Sequence, residues 1–171
     1  EASTISYCFQ LAPGTYEGSC THDMTNATQS FQIRGSGSHC TFIQAGGSFA
    51  LGGTSDLLSF TDFKSIGLHD CTLRYAKYGF YPRSCEKITV SGVNFEYLGS
   101  DGQSNRHDLT STKAEQLAFW GSASTSSGGA CRIRSCTEVN ISDCTAQFCA
   151  RGFRIQDSGS SANTSIISNC K

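Results

Sequence analysis

The feature that most constrains this chain is a stretch of sequence that occurs twice. Ile66-Gly67-Leu68-His69-Asp70-Cys71-Thr72 aligns without a gap on Val139-Asn140-Ile141-Ser142-Asp143-Cys144-Thr145. The match runs on, with Tyr75 against Phe148 and Gly79-Phe80 against Gly152-Phe153. The offset of 73 residues reads as three turns of a solenoid whose coils take roughly 20–30 residues each. Ile88-Thr89-Val90-Ser91-Gly92-Val93-Asn94-Phe95 and Ser165-Ile166-Ile167-Ser168-Asn169-Cys170 fit the same frame. A second column joins Gly79-Phe80, Ala130-Cys131-Arg132-Ile133 and Gly152-Phe153-Arg154-Ile155. The step from Phe80 to Ile88 is eight residues, and so is the step from Cys131 to Val139.

Within each repeat, apolar residues two apart, such as Ile88 and Val90 or Val139 and Ile141, share one face of a strand. One coil cannot bury such a face alone, so coils must stack. Gly and Asn at recurrent corners admit positive φ. Asp70 and Asp143 share a repeat position, which predicts a turn-capping role for both rather than chemistry. With 18 Gly, 2 Pro and 16 % charged residues, no segment shows sustained helical periodicity. The expected fold is all-β: a right-handed parallel β-helix of several coils, as one domain over 1–171, stapled by disulfides.

Ten cysteines are an even number. Metal binding needs close Cys/His pairs. There is no Cys-x-x-Cys, and none of His22, His39, His69 and His107 forms a His-x-x-x-His pair. No metal or cofactor is therefore expected. Cys8, Cys20, Cys40, Cys71, Cys85, Cys131, Cys136, Cys144, Cys149 and Cys170 are expected to be oxidised in a secreted protein. Their connectivity stays open: Cys131 with Cys149, or Cys136 with Cys144, are near in sequence, but geometry across coils decides. Glycosylation sequons at Asn26, Asn140 and Asn163 agree with export. The segment Glu1-Ala2-Ser3-Thr4 has no signal-peptide character, so a signal is expected to have been removed. No stretch approaches the roughly 20 apolar residues of a membrane span. A net charge of −1 gives no nucleic-acid footprint.

The opening coils are Phe9-Gln10-Leu11-Ala12-Pro13-Gly14-Thr15-Tyr16 and Phe31-Gln32-Ile33-Arg34-Gly35-Ser36-Gly37. Together with the Asp-Cys-Thr coils, they resemble the repeats of pectin-lyase-like β-helix proteins. That resemblance implies the β-helix and a superfamily containing polysaccharide lyases and glycoside hydrolases. It carries over no catalytic residue. Of the polygalacturonase motifs, only Arg132-Ile133-Arg134 and Arg154-Ile155-Gln156 approach Arg-Ile-Lys, and both lack the Lys. The acidic calcium cluster of pectate lyases has no counterpart. Glycoside hydrolysis also needs two carboxylates across the scissile bond, and no such pair stands out.

The segment 98–129 departs from the repeat and reads as a loop excursion. It holds Asp101, Arg106, His107, Asp108 and Trp120, with a short helix expected over Ser111 to Leu117. Arg106-His107-Asp108, with His69 and Asp70 elsewhere, could supply a base, but the reading taken is a polar loop with surface charge. Tyr75, Tyr78 and Tyr81 are spaced by three. Tyr75 matches Phe148 and is expected in the core. Tyr78, Tyr81 and Trp120 are candidate sugar-stacking rings.

Two functions follow as expectations. The first is an extracellular structural or surface subunit whose partner is itself. The chain stops at Lys171, just after a strand and without a cap, which predicts end-to-end stacking into a fibre or coat. The alternative is a carbohydrate-active enzyme or glycan-binding module on a pectin-lyase-like scaffold.

Overall fold

The computed structural model describes residues 6–23, 28–45, 56–99, 128–149, 151–156 and 164–171. Trp120, Asp101, Arg106, His107, Asp108, the helix expected at Ser111 to Leu117, Asn26 and Asn163 lie outside the described residues.

The chain visits three parallel sheets in rotation. The first coil is β1 (Ser6–Gln10), β2 (Gly14–Glu17) and β3 (Cys20–Asp23). The second is β4 (Ser30–Arg34), β5 (Thr41–Gln44) and β6 (Leu58–Thr61). The third is β7 (Ser65–His69), β8 (Thr72–Arg74) and β9 (Tyr78–Arg83). Then come β10 (Lys87–Ser91), β11 (Asn94–Glu96) and β12 (Gly129–Arg134), followed by β13 (Glu138–Ser142), β14 (Thr145–Gln147) and β15 (Phe153–Gln156). β16 (Thr164–Ser168) begins a sixth coil. The first sheet is β1-β4-β7-β10-β13-β16, the second β2-β5-β8-β11-β14, and the third β3-β6-β9-β12-β15. This is the strand path of a parallel β-helix: all-β, with every strand bonded to its equivalent one coil away.

The repeat found in the sequence is the stacking register itself. Ile66 pairs with Ile88 and Ile88 with Val139, while Leu68 pairs with Val90 and Val90 with Ile141. The 73-residue offset spans two coils, not the three expected, because the coil from Ile88 to Val139 contains the segment 98–129. The last coil also fits its frame, with Ile167 on Ile141. In the third sheet Phe80, Cys131 and Phe153 stack in register.

The core is built from these columns. Leu68, Val90 and Ile141 are fully buried, and so are Leu73 and Phe95, which stack in the second sheet. Phe31, Phe60 and Phe63 pack ring against ring, with centroids 5.1–6.2 Å apart. Burial of each such side chain contributes about 1.5–3 kcal/mol.

One residue with positive φ makes each tight corner. Asp70, Gly92, Asp143 and Asn169 lie between the first and second sheets, with φ from 50 to 63°. Tyr75, Tyr97 and Phe148 (φ 53 to 61°) lie between the second and third, and Asp62, Ser84 and Ser135 (φ 51 to 60°) between the third and first. The Asp70/Asp143 position is therefore a corner, as expected. Its side chains also bond between coils, with Asn169 Nδ2 donating to Asp143 Oδ1 at 3.1 Å. Tyr75 is buried, as expected of a residue matched to the repeat. Its ring also joins a stack along a corner: Tyr75 on Tyr97 at 5.6 Å and Tyr97 on Phe148 at 5.0 Å. The left-handed conformation aims these side chains away from the core and returns the next residue to it.

That next residue explains most of the cysteines. The positions after the corner residues are Cys71, Val93, Cys144 and Cys170 in one column, Phe63, Cys85 and Cys136 in another, and Ala76, Leu98 and Cys149 in the third. Cysteine thus shares a slot with Val, Phe, Ala and Leu, as a small apolar residue does. The thiols of Cys85, Cys136, Cys144, Cys149 and Cys170 each donate to the carbonyl two residues upstream, at 3.1–3.4 Å. All ten cysteines are free thiols in this structure, so the expected staples are not shown. The near-sequence pairings do not form either: Cys131 sits within the third sheet and Cys149 at a corner, while Cys136 and Cys144 occupy different corner columns.

Two substitutions test this architecture. Ile141→Ala removes a fully buried column member and should cost about 2–5 kcal/mol in urea unfolding. Asp143→Val places a β-branched residue at φ 54° and should cost at least about 1–2 kcal/mol; Asp143→Asn, the residue found at the equivalent Asn169, should cost far less.

Candidate ligand-binding face

The outer surface of the third sheet gathers most of the chemistry. Strand alternation sends Phe80, Cys131, Ile133, Phe153 and Ile155 inward. It sends Tyr81, Arg83, Arg132, Arg134, Arg154 and Gln156 outward. Register then aligns Arg83 with Arg134 and Arg132 with Arg154. Lys77 and Tyr78 enter this face at the start of β9, and Asp56 just before β6.

Arg132 is the centre of the cluster. Its guanidinium lies 5.1 Å from the Tyr81 ring and 5.6 Å from the Tyr78 ring. Nη1 donates to the Tyr78 hydroxyl and Nη2 to Gln156 Oε1, each at 3.2 Å. Nε is buried without a hydrogen-bond partner, as is Thr61 Oγ1, in register with Arg83 on the same face. Arg83 lies 5.2 Å from the Tyr81 ring and Lys77 Nζ 5.9 Å from that of Tyr78. Burial raises the pKa of Asp56, against the opposing pull of Lys77, Arg83 and Arg132.

Parallel in-register stacking sets like charges about 4.8 Å apart. Such columns repel unless ring quadrupoles or an anion compensate. Two tyrosine rings supply part of that compensation. Among the described residues of this face whose side chains are placed, the acidic group is Asp56. What the arrangement can do is hold an anionic group by planar guanidinium donors.

The sequence candidates Tyr78 and Tyr81 do meet here, 5.2 Å apart. They are only 6 % and 9 % exposed, so they carry the guanidinium rather than present open stacking faces. The arginines were the missed residues. Their signal in the sequence is the outward-inward-outward pattern of Arg132-Ile133-Arg134 and Arg154-Ile155-Gln156. Asn140 stands exposed in mid-β13, a position open to modification.

His69 lies elsewhere, on the first sheet. Its Nδ1 meets Ser91 Oγ on the next coil at 2.7 Å. Gly67 makes room for the ring: a Cβ there would lie 2.9 Å from Nε2. Burial, then the charge of Arg34, lowers the His69 pKa, against the opposing pull of Asp70. Arg106-His107-Asp108 lies outside the described residues. No group of three or more potential metal ligands occurs among the described residues.

A pH experiment tests the His69 contact. Its folded pKa lies below the ordinary 6.5, so in that window the unfolded chain binds a proton that the folded chain does not. The associated stability is present above pH 6.5 and is lost as pH falls through the folded value. Between about pH 7 and pH 5, thermal stability should fall more steeply for the parent than for His69→Asn.

Comparison of the chain with protein-family models, with curated proteins and with solved structures found no match.

Proposed function

We propose that this chain is an extracellular β-helix that binds a linear anionic glycan along the outer face of its third sheet. The observation that carries this reading is the pair of in-register cation columns, Arg83 with Arg134 and Arg132 with Arg154, backed by Tyr78 and Tyr81. Cations repeating once per coil suit carboxylate or sulfate groups repeating along a polymer laid parallel to the solenoid axis. The sequons and the cysteine count support an exported chain, in which some of the thiols would be oxidised. Right-handed winding is part of the reading, because parallel crossovers strongly favour it. The coil motifs support kinship with pectin-lyase-like proteins, without their catalytic residues.

The test is binding to a panel of polyuronates, sulfated glycans and neutral polysaccharides over a salt series. Acidic polymers should bind and neutral ones should not, with affinity falling as salt rises. Arg132→Ala should weaken binding by roughly 10-fold to 100-fold. Equal binding to neutral polymers, or none to acidic ones by folded protein, would defeat the reading.

A second reading, end-to-end association of chains, is favoured by apolar surface at the first coil. A cavity of about 430 Å³ opens there between Phe9, Leu11, Tyr16, Phe31, Ile33 and Phe60. Ile166 and Ile167 are about half exposed on β16. Light scattering over a concentration series should show growing oligomers if chains stack, and a constant monomer mass if they do not.

A further inference from the structure

Cysteines on adjacent coils can be joined only where they occupy the same slot in consecutive layers. The spacing between layers, about 4.8 Å, falls within the Cα separation of about 4.4–6.8 Å that a disulfide spans. Two layers apart is already too far. This rule sorts the cysteines of the corner columns and the third sheet. Cys71 and Cys144 share a column, but Val93 lies between them. Cys20 pairs with Leu58, Cys131 is flanked by Phe80 and Phe153, and the column below Cys149 continues with Leu98. Two pairs pass. Cys85 and Cys136 are held in register from both sides, by Arg83 on Arg134 and Lys87 on Glu138. Cys144 and Cys170 follow the paired residues Ser142 and Ser168, and Lys171 N donates to Cys144 O at 3.0 Å.

The geometry points to Cys85–Cys136 and Cys144–Cys170 as the inter-coil disulfides this chain forms when it meets an oxidant, with Cys71 and Cys131 left as buried thiols. The inference rests on the extracellular reading only for the natural oxidant; an external low-molecular-weight disulfide supplies it in the test. In each pair the two thiols make the same contact, each donating to the carbonyl two residues upstream on its own coil.

The Cys85–Cys136 pair is also polarised. The Cys85 thiol supports the Cys136 thiolate, lowering the pKa of Cys136 and raising that of Cys85. Exchange can begin at Cys136. Its thiolate forms a bond to one sulfur of the external disulfide and expels the other as a thiolate. Cys85, losing its proton, then attacks the Cys136 sulfur of the mixed disulfide and expels the second thiolate. The protein gives up two protons and two electrons, and the external disulfide is reduced to two thiols. The Cys85–Cys136 bond closes the longest coil, the one containing the segment 98–129.

The experiment is refolding of the full chain in oxidised and reduced glutathione, alkylation of remaining thiols, and peptide mapping without reduction. The expected map shows Cys85 linked to Cys136, Cys144 linked to Cys170, and Cys71 and Cys131 alkylated only after denaturation. Reduction should lower the melting temperature by about 5–10 °C. Cys85→Val uses a residue found in an equivalent slot at Val93. With folding checked by circular dichroism, this variant should lose the first cross-link and trap glutathione on Cys136. Any other pairing of these four cysteines, or all four recovered as free thiols from folded oxidised protein, would overturn the inference. Glycan binding by reduced protein is a separate readout, so failure of the cross-links and failure of the binding reading are distinguishable.

Discussion

Everything in this structure depends on in-register hydrogen bonding between equivalent strands of successive coils. A parallel ladder bonds each coil to the next and offers its backbone nothing else. Each residue therefore meets its counterpart one layer up and one layer down. An apolar residue at a core position is repeated as a column, as with Leu68, Val90, Ile141 and Ile167. A corner that needs positive φ needs it in nearly every layer, and Asp70, Gly92, Asp143 and Asn169 each meet that need with a residue tolerant of it. Tyr75, Tyr97 and Phe148 are less tolerant, and their face-to-face stacking offsets the cost.

The same constraint turns isolated charges into arrays. Arg132 would be an ordinary surface residue on a single strand. On a stacked sheet it lies against Arg154, with Arg83 against Arg134 beside it. Tyrosine rings beneath Arg132 take up some of the repulsion and fix the guanidinium plane. Arg132, held by Tyr78 and Gln156, has less side-chain freedom to lose on meeting an anion than an unrestrained surface arginine.

Cysteine has two roles that the stacking separates. At the corners it is a compact core residue whose thiol also satisfies a nearby carbonyl, and Val93, Phe63 and Leu98 fill equivalent slots without sulfur. Burial makes such thiols poor nucleophiles: the pKa is pushed up to about 12 for Cys71 and Cys149 and to about 11 for Cys144. Redox chemistry is a property of neighbouring layers rather than of the number of cysteines. The even count of ten suggested staples throughout, yet the columns bring few of the ten together.

The strands were legible because their signal is local and repeated. Alternation in Ile88-Thr89-Val90 and Val139-Asn140-Ile141 marks a buried face, and the shared Asp-Cys-Thr ending marks the same corner. The number of coils between repeats was not legible, because an inserted segment lengthens a coil without disturbing the frame on either side. Nor was the cation-bearing face of the third sheet. Tyr78 and Tyr81 were visible as rings, but their burial and their union with Arg132 depend on a strand some fifty residues away. The sequence by itself determined the coil motif, the inward and outward faces of each strand and the positions of the corners, since these follow from backbone periodicity and steric preference. Only the tertiary structure decided which layers adjoin, and with them the cation columns and the cysteine neighbours, because adjacency between coils is set by long-range register that no local pattern encodes.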